Sequence, residues 1–177
     1  MTYGELPFGC RDCKVTPWAS GVLGTAVDVP RIRTVEMNVT RDSTDLEGDD
    51  VKIATHTFGR GLAGSIEAGG VNVACRMVLE GGSMTTLGSQ PSRITTYKVL
   101  GDQAEGYFKI ESQMYGDDSG DMHFIAWKAK ATNGPNFSAA QGEFGLTNCD
   151  LEAIYDDSVS PSRLYHIVQN ETITPIV

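Results

Sequence analysis

The chain has 177 residues, 40% hydrophobic and 21% charged, a length and balance that fit one soluble globular domain able to bury a core of its own. Fourteen basic against twenty-three acidic side chains leave a formal charge of −9 at pH 7, which repels nucleic-acid phosphates and argues against a conventional DNA or RNA binder. The sequence opens without a charged and then apolar leader and holds no apolar run of roughly 18 residues, so neither secretion nor membrane spanning is expected.

Twenty glycines, with many threonines and valines, point to turns and strands and hence to a mainly β fold. Residues 1–20 contain Pro7 and Pro17 and show no period, so they read as an N-terminal arm that is ordered only when something holds it. Residues 32–40 alternate, with Val35, Met37 and Val39 opposite Thr34, Glu36 and Asn38, the pattern of a half-buried strand. Residues 41–50 carry five acids and one arginine, with Leu46 as their apolar member, and read as a solvated loop.

Two short strands follow, joined at Gly59-Arg60-Gly61. The first sets Val51 and Ile53 against Lys52 and His56, and the second sets Leu62, Ile66 and Ala68 against Ala63, Ser65 and Glu67. The period then changes. Val71, Ala74, Cys75, Val78 and Leu79 recur at helical spacing, which predicts a helix over about 71–80 lying on a core between Gly69-Gly70 and Gly81-Gly82.

Further strands are expected over 93–100 and 107–115, the latter with Phe108, Ile110 and Met114 facing away from Lys109, Glu111 and Gln113. Gly116-Asp117-Asp118-Ser119-Gly120 reads as a hairpin tip, and 122–130 as a strand apolar on both faces. Asn133-Gly134-Pro135-Asn136 breaks the chain, 144–155 resumes it with a bulge expected at Thr147-Asn148-Cys149, and 164–168 forms a last short strand. About eight strands and one helix suggest a two-sheet sandwich or small barrel with the helix on one flank. The expected division is an N-terminal arm (1–20), a β core (21–156) and a C-terminal strand and arm (157–177).

The residues that could carry chemistry are not arranged to do so. Cys10-Arg11-Asp12-Cys13 is a C-x-x-C without the second ligand pair of a zinc site, and Cys75 falls on the apolar stripe of the helix. His56, His123 and His166 lie on separate expected strands without metal-ligand spacing. Asp45, Glu47, Asp49 and Asp50 lack the order of a calcium loop, and Asp117, Asp118 and Asp121 suit a turn. No nucleophile elbow, phosphate loop or zinc-protease motif occurs. The expectation is therefore a protein that is not an enzyme and takes no metal or cofactor.

Leu46-x-Gly-Asp-Asp, the hairpin after it, the Glu67-x-Gly-Gly turn and the helix closed by Gly81-Gly82 resemble the tail tube (major tail) proteins of long-tailed bacteriophages. The resemblance is clearest over 20–82 and looser to about residue 156. Two departures stand out: the Cys10 and Cys13 pair is no part of the family pattern, and no immunoglobulin-like domain follows the core. The resemblance implies a β-sandwich of tail-tube type whose inner sheet joins those of other copies in a hexameric ring. Rings then stack into a hollow tube through which double-stranded DNA passes without specific binding.

The partners it implies are further copies of the chain, with tape-measure, tail-terminator and baseplate or tail-tip proteins. The place it implies is the virion tail, assembled in the host cytoplasm. It casts Asp45, Leu46, Glu47, Gly48, Asp49 and Asp50 as an inter-subunit contact loop. Glu67, Glu111 and Asp121 become candidates for acids facing the lumen, where negative charge lets DNA slide. Alternatives are the inner tube of a contractile tail or secretion apparatus, and a β-sandwich module for a ligand such as carbohydrate. The last calls for an aromatic platform, which Trp18, Trp127 and six tyrosines scattered along the sequence do not mark.

Overall fold

The computed structural model describes residues 5–19, 21–48, 51–70, 72–102, 105–117, 119–138 and 140–176. In chain order the elements are β1 (Pro7–Ala19), β2 (Val22–Leu23), β3 (Val27–Asp28), β4 (Ile32–Gly48), β5 (Val51–Gly69), α1 (Val73–Glu80), β6 (Ser83–Leu87), β7 (Ile94–Lys98), β8 (Tyr107–Gly116), β9 (Asp121–Ser138), β10 (Leu146–Ala153) and β11 (Tyr165–Asn170). The protein is mainly β with one short helix and two sheets. No helix among the described residues is long and apolar enough to cross a membrane.

Nine strands form one antiparallel sheet in the order β2-β1-β8-β9-β10-β5-β4, with β3 alongside β1 and β11 alongside β9. Although β1 and β4 stand far apart in that order, they approach each other in space, so the sheet curls over its own apolar face. Cys13 and Val15 of β1, Leu62 and Ile66 of β5, Phe108 and Ile110 of β8, and Cys149 and Leu151 of β10 meet there in one core. Complete burial of a Leu, Ile or Phe side chain is worth roughly 1.5–3 kcal/mol, so this cluster is what closes the sheet.

The helix plugs the same core with Cys75, Val78 and Leu79. Its N-terminus is capped by Asn72, whose side-chain oxygen accepts from the backbone N–H groups of Ala74 (2.9 Å) and Cys75 (3.3 Å). The stripe read from the sequence is thus correct from residue 73, while Val71 lies outside the described residues. Burial pushes the Cys75 and Cys149 thiols up to about 12 and Cys13 well above its ordinary value, which suits packing residues. Cys10, half-buried, is raised to about 11 by burial and by Asp12.

The second sheet is the β6–β7 ribbon and not a layer facing the first. Tyr97 ties it to the helix end, its hydroxyl 2.7 Å from the Gly81 carbonyl and 3.1 Å from a Glu80 carboxylate oxygen. The expected 93–100 strand is present as β7, whereas β6 is apparent only from its pairing.

Several expectations need correction. Residues 7–19, expected as an arm, form β1 beside β8; register shifts between Phe8 and Asp12 break the alternation that would have revealed the strand. The supposed loop 41–48 is the outer half of β4, paired with β5 as far as Gly48 opposite Val51, and Asp49 and Asp50 lie outside the described residues. β5 is one continuous strand. Gly59 sits in it at φ +61, at a register shift where Arg41 pairs Arg60 and Asp42 pairs Phe58, so the glycine makes a bulge and not a turn. The 133–136 break lies inside β9, and the irregularity expected in β10 belongs to β9, which supplies the extra residues opposite Asn148–Leu151 while burial in β10 alternates without a slip.

Candidate functional site

Beyond residue 41 the β4–β5 hairpin leaves the body of the sheet, because β10 pairs β5 only from Leu62 to Gly69. All described side chains from 41 to 60 are exposed, including Leu46 (60%), Val51 (63%), Ile53 (65%) and Phe58 (50%). A two-stranded ribbon is marginal in water by itself, and exposed aliphatic side chains do not strengthen it without a partner. Local contacts hold its outer end. Lys52 Nζ lies 2.7 Å from Asp45 Oδ2, and hydrogen bonds from Lys52 and Thr55 hold the Asp45 carboxyl below the usual range. The β6–β7 ribbon repeats the pattern on a smaller scale, with Leu87 (65%) and Ile94 (64%) exposed as a cross-strand pair.

The opposite condition holds on the face of β1, β8 and β9 turned away from the core. Alternation there places Lys14, Glu111, Gln113, Asp121 and His123, which would be solvated on an open sheet. The C-terminal segment 171–176 runs across them instead. Lys14 donates to the Ile176 carbonyl, Gln113 donates to the Thr174 carbonyl (3.0 Å), and the Thr174 N–H donates to Asp121 Oδ2 (2.9 Å). Asn170 donates to the second Asp121 oxygen (2.8 Å), and Gln113 also donates to Asp121.

His123 bridges two carboxylates, with Nδ1 3.1 Å from Glu111 and Nε2 3.1 Å from Asp121 and 2.9 Å from the Thr174 carbonyl. Among the described residues, both ring nitrogens face acceptors, Glu111 on one side and Asp121 with the Thr174 carbonyl on the other. Lys109 completes the seam at 2.6 Å from Glu111. Burial by itself would raise the Asp121 carboxyl, but its donors, Gln113, Thr174, Asn170 and His123, together hold it below the usual range.

This settles where the candidate lumen acids stand in the chain. Asp121 is completely buried and Glu111 nearly so, both committed to internal partners, and neither offers a carboxylate to solvent. Glu67 is partly exposed and paired with Arg33 at 3.0 Å. Among the contact-loop residues, Asp45, Leu46 and Glu47 are exposed on the ribbon, and Gly48 ends β4.

Sequence reasoning also missed an aromatic and cationic cluster. Trp18 and Tyr107 meet edge to face with centroids 6.0 Å apart, and Trp127 meets His166 at 5.3 Å. The register shift between Phe108 and Ile110 against β9 puts Trp127 and Lys128 side by side. Lys128 lies 4.5 Å over Trp18, and Arg163 lies 3.5 Å over Trp127. Arg163 is anchored by Asp156 at 2.9 Å, a fully buried carboxylate. Ring faces already covered by cations are not an open sugar platform.

No family model matches the chain, and no curated protein matches it.

Proposed function

We propose that the chain is a structural subunit that assembles with copies of itself into stacked rings forming a phage tail tube, a hollow conduit for DNA. The observation that carries this reading is the ribbon of residues 41–60, exposed throughout yet bearing Leu46, Val51, Ile53 and Phe58. An apolar ribbon standing off the body is costly to leave in water and is accounted for by a neighbouring subunit. The 17-residue β4 supports the same reading, since among the described residues it pairs with β5 alone and leaves its outer edge open to a second sheet. Where such an interface is heterologous, it closes into a ring or continues as a filament according to its rotation.

The net charge of −9 favours free passage of DNA, with the acids responsible to be sought elsewhere than at Glu111 and Asp121. The same features serve the inner tube of a contractile tail or secretion apparatus. Negative-stain microscopy of the purified protein over a concentration series tests the reading: hollow filaments or six-fold rings are expected. A monodisperse monomer at the highest concentration removes it in favour of a binding module.

A further inference from the structure

A concavity of about 1050 Å³ opens where β4 begins and β5 ends, against the start of β10 and the end of β9. Its lining combines Phe137 and Phe144 with Arg31, Arg33 and Glu143. Phe144 is 95% exposed and Phe137 56%, so the two rings offer a large unsatisfied apolar area. The backbone around them is stitched: the Gly69 N–H donates to the Arg31 carbonyl (2.9 Å) and the Gly70 N–H to the Gly145 carbonyl (2.8 Å). Arg31 holds φ +56, a conformation that L residues seldom adopt, and a Cβ added at Gly70 would stand 3.4 Å from its Nη1. Arg33 is engaged by Glu67, whereas the Arg31 guanidinium has no acidic partner among the described residues.

With Arg33 engaged by Glu67, the concavity keeps the Arg31 guanidinium, Glu143 and two exposed aromatics, which suit an apolar occupant that brings a carboxylate for Arg31. The outer end of the β4–β5 hairpin supplies these: with Lys52 engaged by Asp45, it keeps Glu47 as a carboxylate beside Leu46, Val51 and Ile53 as exposed aliphatics. Val51 and Gly69 are the two ends of one strand, on the order of 50–60 Å apart at about 3.3 Å per residue. A hairpin end therefore cannot fold back into its own concavity and can reach only that of another copy.

We infer that the concavity is the receptor for the hairpin end of a second copy, with Leu46 and its neighbours seated on Phe137 and Phe144 and Glu47 paired with Arg31. The inference rests on the self-assembly proposed above. Donor and receptor at opposite ends of one long strand allow a head-to-tail contact, which propagates where reciprocal exchange about a two-fold would stop at a dimer.

The test mixes a chain carrying L46C with one carrying F144C under mild oxidation, with the wild-type chain as control for native cysteines. A disulfide-linked pair is expected only in the mixture. F144S, E47R and R31E are each expected to raise the concentration required for assembly on the order of tenfold or more, and the R31E/E47R double variant to recover most of that loss. F144S alters a side chain already in solvent, so folding does not confuse its outcome. Wild-type assembly together with normal assembly of F144S and E47R and no cross-link overturns the receptor alone. A wild-type chain that stays monomeric at every concentration overturns the self-assembly reading and the receptor with it.

Discussion

The ribbon of residues 41–60 and the seam beneath residues 171–176 use the same kinds of side chain to opposite ends. Both are alternating strands rich in carboxylates and cations. In the ribbon, Asp45 and Lys52 meet in open solvent, where a pair contributes little to holding the chain together and leaves the aliphatics around it uncovered. In the seam, Asp121 receives hydrogen bonds from Gln113, Asn170, Thr174 and His123 with no exposure at all. The difference is the cover: the C-terminal segment lies over one region, and none of the described residues lies over the other. Charge in the seam fixes the chain's own fold, while under the proposed assembly charge in the ribbon serves recognition.

Substitutions that separate folding from assembly break or sharpen this comparison. The largest effect on folding is expected for Asp121→Ala, which leaves Gln113, Asn170 and His123 facing an empty site. It should cost about 3 kcal/mol in urea unfolding and speed hydrogen exchange over 171–176. Unchanged exchange there would show that the segment is held by something other than the seam.

Next in size is acid. Burial opposes ionisation of Asp121 and Asp156, but their hydrogen bonds hold both carboxyls below the usual range, so each adds stability above the ordinary carboxylate pKa of about 3.9. That contribution disappears as pH falls through the lower folded values. Thermal midpoints between pH 5 and pH 2 should fall, with residues 171–176 loosening early by hydrogen exchange.

Asn72→Ala removes the cap of α1 and should cost about 1 kcal/mol without altering ring or filament growth. Smallest in folding is Leu46→Asp, expected to shift monomer stability by less than about 0.5 kcal/mol, as for an exposed site. Its effect lies in microscopy and sedimentation, where soluble monomer should replace filaments. Normal filaments from this variant would remove the ribbon from the account of assembly.

Strands whose apolar face meets the core were legible because burial there follows period two. Phe108 and Ile110 in β8 and Leu62 and Ile66 in β5 are such cases, and α1 was legible by its helical stripe. Residues 7–19 escaped because bulges interrupt the period between Phe8 and Asp12. Residues 41–48 escaped for another reason: a ribbon solvated on both faces has no dry side to imprint alternation, so a strand there reads as a charged loop.

Of the candidate site, Asp45, Leu46 and Glu47 are exposed, whereas the burial of Glu111 and Asp121 was not legible, since lysine, glutamine, histidine and acids in alternation ordinarily mark water. The concavity around Arg31, Phe137 and Phe144 was not visible, being assembled from strand ends distant in sequence.

By itself the sequence determined a mainly β chain, the position of its helix, the core-facing side of β8 and of the inner parts of β4 and β5, and an excess of acid, because these depend on neighbouring residues and on composition. Only the tertiary structure decided which second faces are covered and which strand ends meet. The cover of β8 and β9 is a segment without periodicity about fifty residues further along the chain, and local patterning carries no information about contacts at that range.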